Sequence, residues 1–243
     1  MPMIDIHCHI IFDVDDGSSC LAESLEMAAI ANESGTDTII ATPHANAPGM
    51  ETNEWGEQFA RKLFTLNETL RSRKIPVTVL SGQEIFCEGD VAGMLARGAL
   101  ITLNSSRYPL IEFAFEESAE AIIERCEELS SLGYVPIVAH PERYEALKED
   151  LDNAFRIKRR GCLLQLNAAS LFGGFGHGSE DAAHAMLSEG IADFIASDAH
   201  SPYMRTPFLA DAHEMVSDMY SPDYADLLML TNPNAVVTDS PII

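Results

Sequence analysis

The sequence predicts an α/β protein built on parallel strands and closed like a barrel, and three observations point there. Strand-like and helix-like stretches alternate about seven times, which calls for parallel strands joined by helical crossovers. The length of 243 residues suits one α/β barrel domain. Nearly every strand-like run ends in a histidine, a carboxylate or an amide, and in a barrel the carboxyl ends of the strands converge on one mouth.

Taken in order, Ile4-Asp5-Ile6-His7-Cys8-His9-Ile10 reads as the first strand. Residues two apart on a strand share a face, so His7 and His9 project together while Cys8 points away. A polar loop with Asp13, Asp15 and Asp16 follows. Leu21, Leu25, Ala28, Ala29 and Asn32 recur at helical spacing, and Gly35 closes that helix. Thr38–Ala41 has the character of a buried strand and leads into Thr42-Pro43-His44. After a loop with Asn46, Pro48, Gly49 and Asn53, a helix is expected from Glu54 to Arg73, stopped by Pro76. Val77–Leu80 is the next strand, ending at Gly82-Gln83-Glu84, and a short apolar piece spans Val91–Ala99.

Tyr108–Phe113 is a strand that carries Glu112 among apolar residues. A helix over Ser118–Leu132, with Gly133 behind it, precedes the strand Val135–Ala139. That strand delivers His140-Pro141-Glu142-Arg143-Tyr144. A charged helical stretch reaches Arg160, with Gly161 as its cap, and Leu163–Asn167 is a strand. The run Gly173–Gly178 is expected to be a flexible loop; it lacks both the following Lys-Ser/Thr and the GxGxxG spacing of phosphate-binding loops. Residues 180–189 are helical, Ala192–Ala196 is the last strand, and it ends at Ser197-Asp198-Ala199-His200. A final helical region covers Pro207–Leu230. No internal repeat, low-complexity tract or linker divides the chain, so residues 1–243 read as a single domain.

Acidic residues outnumber basic ones 38 to 15, giving a formal net charge of −23 and a sequence pI near 4.5. That balance excludes binding of nucleic acid or anionic membrane through a basic face. A phosphate substrate would have to be attracted locally, by bound cations. The five cysteines are scattered without a CxxC pair, so no disulfide framework is expected and a reducing cytoplasm fits. The N-terminus has no basic stretch followed by a long apolar one, and no run approaches the roughly 18 apolar residues of a membrane span. Attachment to a membrane is therefore expected only through a partner.

The strand-end residues form the informative constellation. His7, His9, Asp16, His44, Glu84, Glu112, His140, Asp198 and His200 are candidate metal ligands. Mixed imidazole and carboxylate donors suit manganese, iron or zinc rather than a thiolate-bound structural zinc. One ion seldom takes more than about six ligands, so nine candidates imply two or three ions. Clustered ions activate water and stabilise an in-line phosphoryl displacement. Arg143 and Arg205 follow ligand positions closely, and guanidinium groups grip phosphate bidentately. His177, His184 and His213 fall outside the set and are expected at solvated surface.

Other phosphatase chemistries find no support. No Arg stands six residues after a Cys. Asp13-Val14-Asp15 imitates an aspartate-nucleophile signature but has Gly17 where Thr or Val is required. No GxSxG nucleophile elbow occurs.

These residues resemble the PHP (polymerase and histidinol phosphatase) family, and within it the CpsB/CapC tyrosine-protein phosphatases of bacterial capsule loci. The resemblance rests on Met3–Ile10 with Phe12–Gly17, Ala41-Thr42-Pro43-His44, Gly82-Gln83-Glu84-Ile85, Ser106–Phe113, Ala139–Tyr144 and Ile195–His200, in that order along the chain. Cys8 stands where the family more often has Ser or Thr. The resemblance implies a distorted (β/α)7 barrel with a trinuclear site, most often supported by Mn2+, with Fe, Zn, Co or Mg as other divalent ions. By the same resemblance His7, His9, Glu84 and Asp198 hold one ion. Glu84 bridges to a second on Glu112 and His140, and Asp16, His44 and His200 hold a third. Arg143 and Arg205 match the catalytic arginines. As a mechanistic expectation, His44 or His200, if not fully committed to metal, supplies a proton. The implied substrate is the phosphotyrosine tail of a membrane-associated bacterial tyrosine kinase that controls polysaccharide synthesis. This implies a cytoplasmic enzyme brought to the inner face of the membrane by its substrate, without insertion of its own. Monomer and homo-oligomer both stay open. The alternative within the family is a phosphomonoesterase for small molecules such as histidinol phosphate.

Overall fold

The computed structural model describes residues 2–49 and 55–242. Asn53 of the expected loop and Glu54, the expected start of the second helix, lie outside the described residues. The strands are β1 (Met3–Cys8), β2 (Thr36–Ala41), β3 (His44–Ala45), β4 (Thr78–Leu80), β5 (Glu84–Phe86), β6 (Leu110–Glu112), β7 (Ile137–Ala139), β8 (Leu163–Asn167) and β9 (Phe194–Ala196). They form two parallel sheets, ordered β1-β2-β4 and β3-β5-β6-β7-β8-β9.

β3 continues β2 past Thr42-Pro43, and β5 continues β4 past Ser81-Gly82-Gln83. Pro43 has no N–H to give to a ladder, which accounts for the first break. The described segments thus trace seven staves of a distorted barrel. The ring closes where β9 meets β1: Cys8 bridges Ala199 in parallel, and Asp198 N donates to His7 O at 2.8 Å. The seam is built from the candidate ligands His7 and Asp198 and their neighbours Cys8 and Ala199.

The helices are α1 (Leu21–Glu33), α2 (Glu57–Arg73), α3 (Val91–Ala96), α4 (Ala119–Ser131), α5 (Glu145–Glu149), α6 (Leu151–Arg159), α7 (His177–Ser188), α8 (Ala210–Met219), α9 (Pro222–Asp226) and α10 (Asn232–Val237). Ser118 caps α4 by accepting from Ala121 N, and Asp150 caps α6 by accepting from Asp152 N, each satisfying a first-turn donor. Gly133 and Gly161, expected as caps, have φ of 91° and 84°, a conformation that costs other residues more.

Strand alternation divides the core. Leu110, Ile137, Ala139, Phe194 and Ala196 cluster with Ile4, Ile6, Ile40 and Val236 of α10. The intervening Ile111, Val138, Leu164 and Ile195 pack under α4 to α9. Cys8 faces α1 and α2, as the strand alternation requires. Among the described residues no helix is long and apolar enough to cross a membrane.

Some elements depart from expectation. The final helical region is broken at Tyr220 and runs on through a π-helical turn, Leu227–Thr231, to Val237. The Gly173–Gly178 run is a hydrogen-bonded turn, not a loose loop: Gly174 N donates to Ala169 O at 2.9 Å and Gly176 N to Gly173 O at 3.0 Å. His177 then begins α7. It is solvated as expected, whereas His184 and His213 are half-buried against Leu171 O and Asp226.

Candidate metal centre

His7 and His9 come off the end of β1 on one face, and the barrel brings the other candidates to them. His7 Nε2 lies 3.3 Å from Glu84 Oε1 and 3.4 Å from Asp198 Oδ1. His9 Nε2 lies 3.3 Å from Glu84 Oε2 and 3.5 Å from Asp198 Oδ1. His140 Nε2 is 3.0 Å from Glu84 Oε1 and 3.5 Å from Glu112 Oε1. His44 reaches Glu84 through Nδ1 at 3.0 Å and Asp16 through Nε2 at 3.6 Å. His200 Nε2 is 3.5 Å from Asp16 Oδ1. All nine candidates therefore sit in one connected cluster, most of them buried, with Asp16 on the solvent side.

Three groupings have donor atoms close enough to share an ion: His7, His9 and Asp198; His9, Asp16, His44 and His200; and His44, Glu84 and Glu112. His44 stands between the last two, beside Glu84 as well as Asp16. His140 completes the Glu84–Glu112 side.

The rings of His7 and His9 are held by partners outside the cluster, and that of His200 by a backbone carbonyl within it. His7 Nδ1 donates to Gln165 Oε1 at 2.7 Å, and His9 Nδ1 to Asp15 Oδ2 at 2.7 Å. His200 Nδ1 donates to Asp198 O at 3.0 Å. Each bond fixes the tautomer and leaves Nε2 for the cluster. Asp15 is itself fixed by His44 N and Gly17 N. Asn167 Nδ2 donates to Asp198 Oδ2 at 2.6 Å, and Gln165 Nε2 to Asn167 Oδ1 at 3.0 Å. Asp15 and Gln165 were not among the residues singled out for the site. Gln165 had a signal: it shares a strand face with Asn167, as His7 does with His9.

This arrangement fits metal ions. With both Nδ1 atoms donating elsewhere, the Nε2 atoms of His7 and His9 face each other at 3.3 Å. Two lone pairs that close need a positive charge beside them, a proton in the metal-free protein or an ion when one is bound. Four carboxylates, Asp16, Glu84, Glu112 and Asp198, border the same space and repel one another unless positive charge lies among them. Burial alone would raise Glu84, but the charges of His7 and His44 and the bond from His140 hold it well below the usual carboxylate range. Asp198 is also lowered, against burial, chiefly by His7 and Arg205. His9 moves the other way: burial opposes its protonation, and the charge and hydrogen bond of Asp15 more than compensate.

Both arginines are at the cluster. Arg205 Nη2 lies 2.6 Å from Asp198 Oδ2, and Arg143 Nη1 lies 3.7 Å from the same oxygen. His140, Asp198 and Arg205 have φ of 36°, 50° and 52°. Such left-handed backbone costs a residue other than glycine about 1–3 kcal/mol, and that kind of strain collects at functional sites.

A parallel barrel whose strand ends carry a buried cluster of imidazoles and carboxylates, flanked by two guanidinium groups, defines a metal-dependent hydrolase of phosphate esters. The sequence profile of the family described as "Capsular polysaccharide synthesis, CpsB/CapC" matches residues 3–238, and the chain belongs to that family. It is 38% identical over 199 residues to tyrosine-protein phosphatase YwqE of Bacillus subtilis, covering 82% of this chain and 78% of that protein. It is 31% identical over 242 residues to tyrosine-protein phosphatase CpsB of Streptococcus pneumoniae, covering 98% and 99%. A chain from the crystal structures of YwqE and CpsB, described as unique metal-dependent tyrosine phosphatases, superposes with a TM-score of 0.92 at 33% identity. That match covers 99% of this chain and 96% of the other.

Proposed function

We propose that this protein is a metal-dependent protein-tyrosine phosphatase that acts on a bacterial tyrosine autokinase and so regulates capsule or exopolysaccharide synthesis. The observation that carries this reading is the meeting of Arg143 and Arg205 on Asp198, within the imidazole–carboxylate cluster. His7, His9, Glu84 and Asp198 would hold one ion, Glu84, Glu112 and His140 a second, and Asp16, His44 and His200 a third. Mn2+ is the ion proposed, with Fe, Zn, Co or Mg as substitutes. When bound, such ions supply Lewis acidity to water and to a phosphoryl oxygen.

Arg143 and Arg205 bind the equatorial phosphoryl oxygens and offset the charge that builds in the transition state. Whichever of His44 and His200 is not committed to an ion hands a proton to the departing oxygen. A tyrosine phenolate needs little of that help, because its conjugate acid has a pKa of about 10. The partner in this reading is the phosphotyrosine tail of a membrane-associated kinase, met by a cytoplasmic enzyme at the inner face of the membrane. Residues 1–243 would act as one catalytic domain. The acidic surface supports a peptide substrate over nucleic acid.

The test is hydrolysis of p-nitrophenyl phosphate, a phosphotyrosyl peptide and histidinol phosphate with Mn2+ and with chelator. Mn2+-dependent turnover with preference for the phosphotyrosyl peptide is expected, and so is its loss in His9→Ala. Turnover that survives chelation, or a preference for histidinol phosphate, overturns the reading.

A further inference from the structure

The glycine-rich turn Gly173-Gly174-Phe175-Gly176 belongs to no part of the metal cluster, yet it places one aromatic ring against both arginines. Arg143 Cζ lies 4.3 Å from the Phe175 ring centroid, and Arg205 Cζ lies 5.4 Å from the same ring. Arg143 has a second ring against it, Phe115, at 4.4 Å. These distances fall within the roughly 6 Å range of cation–π attraction. No other aromatic side chain among the described residues meets both guanidinium groups at such range.

The turn is shaped to deliver that ring. Gly173 has φ of 73°, and a Cβ on Gly174 would come within 2.9 Å of Ala169 O. The backbone thus folds back on the short helical turn Ala168–Phe172. That turn is fixed in its place by Glu142, whose Oε1 accepts from Ser170 Oγ at 2.6 Å and from Asn167 N at 3.0 Å. Glu142 is the direct neighbour of Arg143. One buried carboxyl therefore ties the segment carrying the ring to the segment carrying the arginine.

An arginine side chain gives up roughly 2 kcal/mol of rotamer freedom when it is held still, and among the described residues the only carboxylate within ion-pair range of Arg143 and Arg205 is Asp198, which the metal reading commits elsewhere. We propose that Phe175 is a positioning residue: its ring holds Arg143 and Arg205 side by side in the spacing that a phosphoryl group requires, before substrate arrives. The proposal rests on the phosphatase reading above. It assigns Phe175 no contact with the reacting atoms.

The experiment compares Phe175→Leu, Phe175→Ala, Phe175→Tyr and Phe175→Trp in the Mn2+-loaded full chain, with p-nitrophenyl phosphate as substrate. Removing the ring should lower kcat/KM by about 2- to 30-fold, the span of one to two cation–π contacts. The loss should fall on kcat, because the arginines act in the transition state. Metal content by elemental analysis and thermal midpoint should stay at wild-type values in Phe175→Leu. Tyr and Trp, which keep a π face, should restore activity that Leu, with similar bulk, does not. The Phe175→Leu loss should vanish in an Arg143→Ala/Arg205→Ala background. Wild-type rates in Phe175→Leu, or an undiminished Phe175 effect without the arginines, overturn the proposal. A wild-type protein without Mn2+-dependent turnover instead sinks the phosphatase reading itself.

Discussion

Gln165 Oε1 accepts a hydrogen bond from His7 Nδ1 at 2.7 Å, and both residues are fully buried. The amide oxygen can only accept, so it commits the proton of His7 to Nδ1 and turns Nε2 toward Glu84 and Asp198. Gln165 reaches further through Asn167 to Asp198. One side chain thus orients two proposed ligands on opposite sides of the barrel seam.

Gln165→Leu should therefore weaken metal binding without touching a ligand. Loss of such an orienting partner costs about 10- to 100-fold in metal affinity or activity. Metal titration of the chelator-stripped protein reads this directly. Affinity within twofold of wild type would show that ring orientation at His7 comes from packing alone.

The site was legible where the chemistry sat at strand ends, and hidden where it did not. The His7/His9 alternation and the His140, Asp198 and His200 positions follow from a period of two and from strand boundaries. Gln165 escaped because it lies within β8 and carries no charge. Asp15 escaped because the loop offers three acids with nothing in the sequence to rank them. Phe175 could not be read, because only the fold back of the chain at Gly174 shows what its ring meets. The barrel itself was legible from strand–helix alternation. The breaks in two staves were not: β3 is two residues long, below the reach of any periodicity.

Metal uptake should release protons. In the metal-free protein burial works against a charge on His140, but its bonds to Glu112 and Glu84 prevail and raise it from 6.5 to about 10. A raised pKa means that this contribution to metal-free stability is complete below about pH 6.5. It is lost as the pH climbs through about 10. An ion that takes His140 must displace that proton, so metal affinity should rise with pH across the neutral range. Calorimetric titration of Mn2+ at pH 7 in buffers of differing ionisation enthalpy should show net proton release. Zero release would mean that His140 is neutral before metal arrives.

Arg205→Lys should behave as a loss and not as a conservative change. The guanidinium meets Asp198 from a backbone at φ 52°, and a lysine ammonium offers a point charge in place of a planar fork. Removing a donor that stabilises developing charge costs about 100- to 1,000-fold in kcat. Steady-state kinetics on p-nitrophenyl phosphate, with metal content measured alongside, should show the fall in kcat at unchanged metal occupancy. A fall in occupancy would assign Arg205 to holding Asp198 rather than to the phosphoryl group.

Beneath the cluster, Asp5 and Ser197 tie β1 to the end of β9. Ser197 Oγ donates to Asp5 Oδ2 at 2.5 Å, and Ser197 N donates to Asp5 Oδ1 at 3.1 Å. Burial raises the Asp5 pKa despite these bonds, so the carboxyl has no solvent to fall back on. Ser197→Ala removes the hydroxyl and leaves a buried oxygen unpaired, at a cost of about 1–3 kcal/mol. Ser197→Ala should therefore lower the denaturant midpoint of the metal-free protein. Asp5→Asn, which keeps a polar group of the same shape against Ser197, should lower it less. Equal midpoints for wild type and Ser197→Ala would show that water reaches Asp5 and that the seam of the barrel is held by its backbone bonds alone.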